Sequence, residues 1–130
     1  MRKIVLLGLV LAGLLVAGFI LISNVVAAPT TVIKKWTGLN NPTGVAIGDY
    51  NNDGSNDLAF AEWGYGGATG TVTVYKSDGT TVIKQWTGLD EPYGVAIGDY
   101  DNDGFNDLAF AEYGAGNVTV YKSDGTTIIK

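Results

Sequence analysis

Residues 44–62 read Gly-Val-Ala-Ile-Gly-Asp-Tyr-Asn-Asn-Asp-Gly-Ser-Asn-Asp-Leu-Ala-Phe-Ala-Glu, and residues 94–112 read Gly-Val-Ala-Ile-Gly-Asp-Tyr-Asp-Asn-Asp-Gly-Phe-Asn-Asp-Leu-Ala-Phe-Ala-Glu. Each copy places a nine-residue acidic loop, 49–57 or 99–107, between two short apolar runs. Oxygen-bearing side chains at loop positions 1, 3, 5 and 9, a backbone carbonyl at position 7 and a glycine at position 6 can wrap around a hard cation. The duplicated loop therefore predicts two bound calcium ions.

The predicted calcium ligands occupy the same loop positions in both copies. They are Asp49, Asn51, Asp53, the carbonyl of Ser55 and Asp57 in the first loop, and Asp99, Asp101, Asp103, the carbonyl of Phe105 and Asp107 in the second. The pattern does not favour the helix-loop-helix calcium hand, whose twelfth position is Glu, because this chain has Phe60 and Phe110 there. A metal-free hairpin turn rich in Asp, Asn and Gly is the alternative interpretation. The additional carboxylate of Asp101 predicts tighter binding in the second loop.

Composition excludes several classes of chemistry. The 130 residues include no Cys and no His, which excludes disulfide scaffolds, thiol or imidazole nucleophiles, and the usual zinc and haem ligands. Two near-identical repeats also lack the unlike groups that an active site needs, so we do not expect an enzyme. Beyond residue 28, six lysines face thirteen Asp and Glu residues, which makes nucleic acid an improbable partner.

Residues 1–28 have the pattern of an export segment. Arg2 and Lys3 precede an uncharged apolar run, residues 4–22, which is followed by small residues suited to a signal peptidase. The segment is predicted to be a leader helix that acts as a signal peptide or, if it is retained, as an N-terminal membrane anchor through residues 4–22. Either outcome predicts a secreted or cell-surface protein.

The rest of the chain is one unit written twice. We assign residues 29–80 to the first repeat, 81–126 to the second, and 127–130 to the start of a third. Each repeat contains four short runs of β-forming residues separated by turn signals, so the pattern predicts an all-β fold of two four-stranded sheets.

The repeat resembles a known family. Gly-Val-Ala-Ile-Gly-Asp-Tyr-Asn-Asn-Asp-Gly-Ser-Asn-Asp-Leu-Ala-Phe-Ala, followed by Gly-Thr-Val-Thr-Val-Tyr, is similar to the FG-GAP/VCBS repeat of integrin-α-like β-propellers. The resemblance covers residues 31–130 and implies two propeller-type blades, with calcium in the loop between the first and second strands of each. It also implies an extracellular role in adhesion, ligand binding or scaffolding.

The number of blades departs from that family, since propellers have 4–8 blades and this chain has two. Residues 31–37 and 127–130 are versions of the same outer strand, which leaves a surplus edge for pairing with another chain. We therefore expect an incomplete propeller that other chains complete, as a homo-oligomeric ring or a fibre. The alternative is a truncated fragment of a longer FG-GAP/VCBS surface protein.

Exposed aromatic residues support a second functional hypothesis, a carbohydrate-binding module. Trp63, Tyr65 and Tyr113 are candidate ligand-binding residues that could stack on sugar rings, with a glycan or a surface protein as the partner. Trp36 and Trp86 are more typical of a contact between blades.

Overall fold

The computed structural model describes residues 32–130, so the predicted leader at residues 1–28 lies outside the described part of the chain. Within residues 32–130, no helix has the length and apolar character needed to cross a bilayer. These residues form one compact unit. All its regular elements are β-strands, as the sequence predicted.

Seven strands form two antiparallel sheets. The first sheet contains β1 (Pro42–Gly48), β2 (Asp57–Glu62), β3 (Gly70–Tyr75) and β4 (Val82–Leu89), paired in chain order. The second sheet contains β5 (Pro92–Gly98), β6 (Asp107–Glu112) and β7 (Asn117–Tyr121), also in chain order.

The second sheet has three strands, so the prediction of four was wrong for this repeat. Residues 127–130 lie beside β7, where the fourth strand was expected, but they form one isolated bridge, between Tyr121 and Ile128, and backbone hydrogen bonds to Val120 and Lys122 instead of a strand. This short stretch satisfies one end of the outer edge of β7. At Asn117, Val118 and Thr119, which pair with β6 on the inner side, the outer edge has no neighbouring strand among the described residues. At the other end of the described chain, residues 32–41 are not in a strand.

The alternation of side chains gives each sheet two different faces. We call one the small-residue face and the other the bulky face. In the first sheet the small-residue face contains Gly44, Ala46, Gly48, Ala59, Ala61, Val72 and Val74, and the bulky face contains Val45, Ile47, Leu58, Phe60, Thr73 and Tyr75. In the second sheet the small-residue face contains Gly94, Ala96, Gly98, Ala109, Ala111, Val118 and Val120, and the bulky face contains Val95, Ile97, Leu108, Phe110, Thr119 and Tyr121.

The core lies where the bulky face of the second sheet packs on the small-residue face of the first. A Cβ atom added at Gly48 would lie 2.8 Å from Cγ2 of Ile97, and one added at Gly44 would lie 2.5 Å from the carbonyl oxygen of Tyr93. Glycine at these positions allows the second sheet to approach the first closely. Buried residues from both sheets, including Val72 with no exposed surface, form this core.

Trp86 connects the two sheets. It lies in β4 of the first sheet, and its ring centroid is 5.7 Å from that of Phe110 and 5.3 Å from that of Tyr121 in the second sheet. The ring of Tyr50 meets it edge-on at 6.5 Å. The aromatic contact adds a geometric preference to the hydrophobic contact between the sheets.

Candidate metal centre

Each acidic loop joins the first two strands of its sheet and turns sharply at its centre. The backbone φ angles are 57° at Asn52 and 87° at Gly54, and they are 62° at Asn102 and 89° at Gly104. Glycine adopts these left-handed angles at little cost, and Asn tolerates them better than most residues. The Asn-Asp-Gly sequence in each loop is thus explained by the turn that brings the acidic side chains together.

In the first loop, backbone amides hold the carboxylates of the first and last aspartates. The carboxylate of Asp49 accepts hydrogen bonds from the backbone N–H groups of Asp53 at 2.9 Å and Gly54 at 2.8 Å. One oxygen of Asp57 accepts from two amides at the start of the loop at 3.2 and 3.3 Å, and the other accepts from Ser77 at 3.2 Å. Asp57 is only 1% exposed, and burial raises the pKa of its carboxyl group.

The second loop brings three carboxylates into one cluster. Oxygen atoms of Asp99, Asp101 and Asp107 all lie within 4.8 Å of one another. Asp107 is 1% exposed, and its Oδ1 atom has no hydrogen-bond partner among the described residues. The matching oxygen of Asp57 has a backbone donor, so the two loops differ at this atom. A buried carboxylate oxygen without a donor is costly, and a bound cation would satisfy it.

The other predicted ligands are engaged within their loops or with a lysine. In the second loop, one oxygen of Asp103 accepts from the backbone N–H of Phe105 at 2.9 Å, and Asp103 is not part of the three-carboxylate cluster. In the first loop, Asp53 accepts from the backbone N–H of Ser55 at 3.0 Å and from the side-chain amide of Asn51 at 3.1 Å. The structure therefore brings together Asp99, Asp101 and Asp107 of the second loop. The aspartate at the fifth position of each loop, Asp53 or Asp103, makes other contacts.

Two lysines, which the sequence analysis did not single out, neutralise part of this charge. Lys122 Nζ lies 2.8 Å from Asp101 Oδ2 and 2.7 Å from Asp103 Oδ2. Lys76 Nζ lies 2.9 Å from Asp53 Oδ2 in the first loop. These contacts lower the pKa of Asp53 and of Asp103 and raise the pKa of both lysines. Each lysine directly follows the tyrosine that ends the third strand of its repeat. This repeated position is the sequence signal that could have identified the two lysines.

The chemistry of this cluster fits a hard divalent cation. All the side-chain donors are oxygen atoms, which suit Mg²⁺, Ca²⁺ or Mn²⁺ and not the softer metals that select thiolate or imidazole. The three clustered carboxylates concentrate negative charge in the second loop, and one oxygen of Asp107 has no donor among the described residues. A bound cation would satisfy both.

The two loops also contact each other. The backbone N–H of Asn106 donates to Oδ1 of Asn52 at 3.3 Å, and the Asn106 side chain donates to the carbonyl oxygen of Asp49 at 2.7 Å. The first loop therefore supports the second directly.

The candidate aromatic ligand-binding residues are separated into two groups. Trp63, 36% exposed, and Tyr65, 79% exposed, line a cleft of about 560 Å³ beside the Gly-rich turn, residues 63–69, together with Asp90 and Glu91. Tyr113 is 75% exposed but is not among the residues that line this cleft.

Comparison with known proteins gives one match. The family model of the FG-GAP-like repeat matches residues 49–110. No curated protein and no solved structure matches the chain. The matched segment begins at the first ligand position of the first loop and includes the whole of the second loop. Residues 49–110 are therefore similar to the FG-GAP-like repeat, in agreement with the resemblance found in the sequence.

Proposed function

We propose that this protein binds calcium through its two acidic loops and acts outside the cell as a structural or adhesive repeat protein that assembles through its sheets. The observation that carries the proposal is the cluster of Asp99, Asp101 and Asp107, in which a buried oxygen of Asp107 has no donor among the described residues. Calcium is favoured over magnesium because it accepts irregular sets of oxygen ligands, whereas magnesium requires a near-ideal octahedron.

The role of the ion in this proposal is structural. The carboxylates of each loop would hold it between the ends of two adjacent strands, and two divalent ions would offset the mutual repulsion of seven aspartates. Extracellular calcium modules commonly have dissociation constants on the order of 10⁻⁴–10⁻³ M, which suits a protein exported to a calcium-rich medium.

Assembly is the second part of the proposal. An FG-GAP-like repeat suggests a propeller-type module, and closed propellers contain 4–8 blades. Residues 32–130 form two sheets, fewer than a closed propeller requires. Further copies of the chain would complete the structure as a ring or extend it as a fibre, with a secreted or cell-surface location.

Calorimetry and thermal melting test the metal. We expect calcium to release or absorb heat on binding and to raise the melting temperature, by about 1.4 kcal/mol of stability per site at ten times the dissociation constant. Asp107→Asn should reduce both effects. The matched control is Asp90→Asn, which removes a carboxylate outside the loops and places there the residue found at Asn40 in the first repeat. Absence of binding heat and of any calcium-dependent melting would refute the proposal.

A carbohydrate-binding function is the second candidate, and the cleft beside the Gly-rich turn favours it. Trp63 and Tyr65 offer ring faces there, and Asp90 and Glu91 offer carboxylates to sugar hydroxyls. A glycan array tests this function. Binding that is lost in Trp63→Ala and kept in Tyr113→Ala would support the cleft as the site, and a blank array would reject it.

A further inference from the structure

Each sheet has one face with exposed apolar side chains, which we call its open face, and the two open faces are different. On the bulky face of the first sheet, Val45 is 66% exposed and Ile47 is 71% exposed. Their equivalents in the second sheet, Val95 and Ile97, are partly buried and pack against the core. The same residue types are thus covered in one repeat and uncovered in the other.

The small-residue face of the second sheet is the other open face. Val118 is 61% exposed, whereas its equivalent Val72 has no exposed surface. Tyr100 is 56% exposed, whereas its equivalent Tyr50 is 1% exposed. A Cβ atom added at Gly98 would meet nothing within 4 Å. This face carries a groove of about 240 Å³, lined in part by Ala96, Gly98, Tyr100 and Ala109.

The interface between the two sheets of one molecule shows how two such faces pack together. All seven residues of the small-residue face are identical between the sheets, and so are all six residues of the bulky face. Since the small-residue face of the first sheet packs on the bulky face of the second, the open small-residue face has the shape and chemistry to accept the open bulky face. A second copy of the chain presents that bulky face with the same six residues.

We propose that two copies of this chain dock head to tail, with the bulky face of the first sheet of one copy on the small-residue face of the second sheet of the other. The inference rests on the self-association in the proposed function and specifies its partner and surfaces. Ile47 of the incoming copy packs against Gly98, as Ile97 packs against Gly48 within one molecule. The contact is heterologous, so each dimer keeps one open face of each kind and can extend or close into a ring.

Trp36 supports the same geometry. It lies on the bulky face of the first sheet, with its ring 6.4 Å from Phe60 and 6.1 Å from Tyr75. These are the equivalents of the two rings that Trp86 contacts across the internal interface. The exposed ring of Tyr100 in the other copy would then contact Trp36 as Tyr50 contacts Trp86.

The free edge of β7 gives this interface a backbone component. In the first sheet, Trp86 of β4 lies opposite Val72 of β3. The equivalent of Val72 is Val118, which pairs with Ala111 of β6 and has no strand opposite it on the outer edge of β7 among the described residues. Residues 35–39 of the incoming copy match residues 85–89 and are not in a strand. They would add to β7 with Trp36 opposite Val118, which is the strand addition common in recognition between chains.

The acidic loops meet again in this arrangement. Within one molecule Asn106 donates to the first loop. Asn56, its exposed equivalent, would donate in the same way to the carbonyl oxygen of Asp99 and the side chain of Asn102 in the other copy. Two acidic loops come together in this contact, so we expect assembly to strengthen when divalent cations are bound.

Molar-mass measurements on variants of each face test the proposal. The full chain, recovered after export, should show a mass that rises with concentration in calcium. Ile47→Asp blocks one face and Gly98→Val blocks the other, so each variant alone should have the mass of one chain. A mixture of the two variants retains one intact face of each kind and should give the mass of two chains and no more. Gly98 has an ordinary φ angle and open space around it, so valine fits the isolated molecule.

The equivalent substitutions inside the molecule are the matched controls. Gly48→Val and Ile97→Asp change the same residue types at the covered interface, and both should lower the melting temperature of a single chain. A second measurement does not depend on loss of association. The chain has no Cys, so Ile47→Cys and Gly98→Cys introduce one thiol each, and oxidation of their mixture should give a mixed disulfide dimer in preference to either homodimer.

Several results would overturn the proposed interface. These are a wild-type chain that keeps the mass of one chain at all concentrations, association that persists in both Ile47→Asp and Gly98→Val, and a mixture of these variants that stays single-chain. The calcium experiment has an independent outcome. A single-chain protein that binds calcium would overturn the interface and leave the metal site standing, whereas assembly through these faces without calcium binding would do the reverse.

Discussion

The side-chain amide of Asn106 donates a hydrogen bond of 2.7 Å to the backbone carbonyl oxygen of Asp49. Asp49 is the first residue of the first acidic loop, and Asn106 is the eighth residue of the second. The backbone amide of Asn106 adds a second contact, to Asn52. An ion that orders the first loop would also fix the two acceptors to which Asn106 of the second loop donates, so we expect binding at the two loops to be coupled.

This contact predicts positive cooperativity between the two calcium sites. Asn106→Ala should weaken the coupling and cost about 1 kcal/mol of stability through loss of the hydrogen bond. Asn56→Ala is the matched control, because Asn56 holds the same loop position but its side chain makes no hydrogen bond within residues 32–130. Calorimetric titration at concentrations that favour single chains measures the coupling. Equal cooperativity in the wild type and Asn106→Ala would contradict the prediction.

The carboxylate of Asp101 predicts a difference in affinity between the loops. Two unit charges about 4 Å apart in water interact by about 1 kcal/mol, so one extra carboxylate near a divalent ion is worth roughly tenfold in affinity or more. Asn51→Asp should strengthen the first site, and Asp101→Asn should weaken the second. The two variants are controls for each other, because each gives the third position of one loop the residue found in the other loop. Calorimetry that gives the tighter site to the first loop would count against this prediction.

Lys122 should compete with calcium. Its ammonium group lies within 2.8 Å of the carboxylates of Asp101 and Asp103, which an ion in the second loop would also attract. Lys122→Met should therefore raise calcium affinity, most clearly at low ionic strength, because exposed charges are screened by salt. Lys35→Met removes the same charge from an exposed position outside the loops and should have little effect. A decrease in affinity in Lys122→Met would mean that the lysine supports the bound state.

The duplicated pattern was enough to predict the seven strands that form and the position of the loops. Alternation of side chains predicts a strand without reference to its partner, and the Asn-Asp-Gly turns indicate where the chain reverses. The outer strand was harder to predict. Residues 32–36 have nearly the same sequence as residues 82–86, yet only the latter form a strand, because β3 lies beside them. Strand formation depends on a neighbouring edge, which residue type does not reveal.

The details of the candidate metal site depended on contacts across the fold. The sequence predicted Asp103 as a ligand from its loop position, and it did not reveal that Lys122, the residue after β7, lies beside this aspartate. The contact of Asn106 with Asp49 joins residues 57 positions apart. Such contacts are set by the packing of one sheet on the other, and loop spacing alone contains no information about them.

Asp78 and Asp124 predict a loss of stability in acid. Each accepts hydrogen bonds from the two threonines that follow in its turn, and bonding to the second threonine hydroxyl is the largest cause that lowers its pKa below the usual value. The folded-state pKa is below the unfolded value of about 3.9, so the stabilisation is present above that pH and is lost as pH falls through the folded-state pKa. Asp78→Asn and Asp124→Asn should reduce the slope of stability against pH below about pH 4. Urea unfolding in chelator from pH 7 to pH 2 measures it, and an unchanged slope would reject the prediction.

Trp86 should contribute more than Trp36 to the stability of a single chain, and the two contributions should become similar in the assembly. Trp86 is 9% exposed between the sheets, so Trp86→Ala should cost about 3–5 kcal/mol in the free energy of unfolding. Trp36 contacts rings of the first sheet only, so Trp36→Ala should cost less in dilute solution. In concentrated protein Trp36 would gain the contact with Tyr100 of another copy. Chemical denaturation at low and high concentration measures both costs, and a cost for Trp36→Ala that is independent of concentration would show that this tryptophan contributes nothing to association.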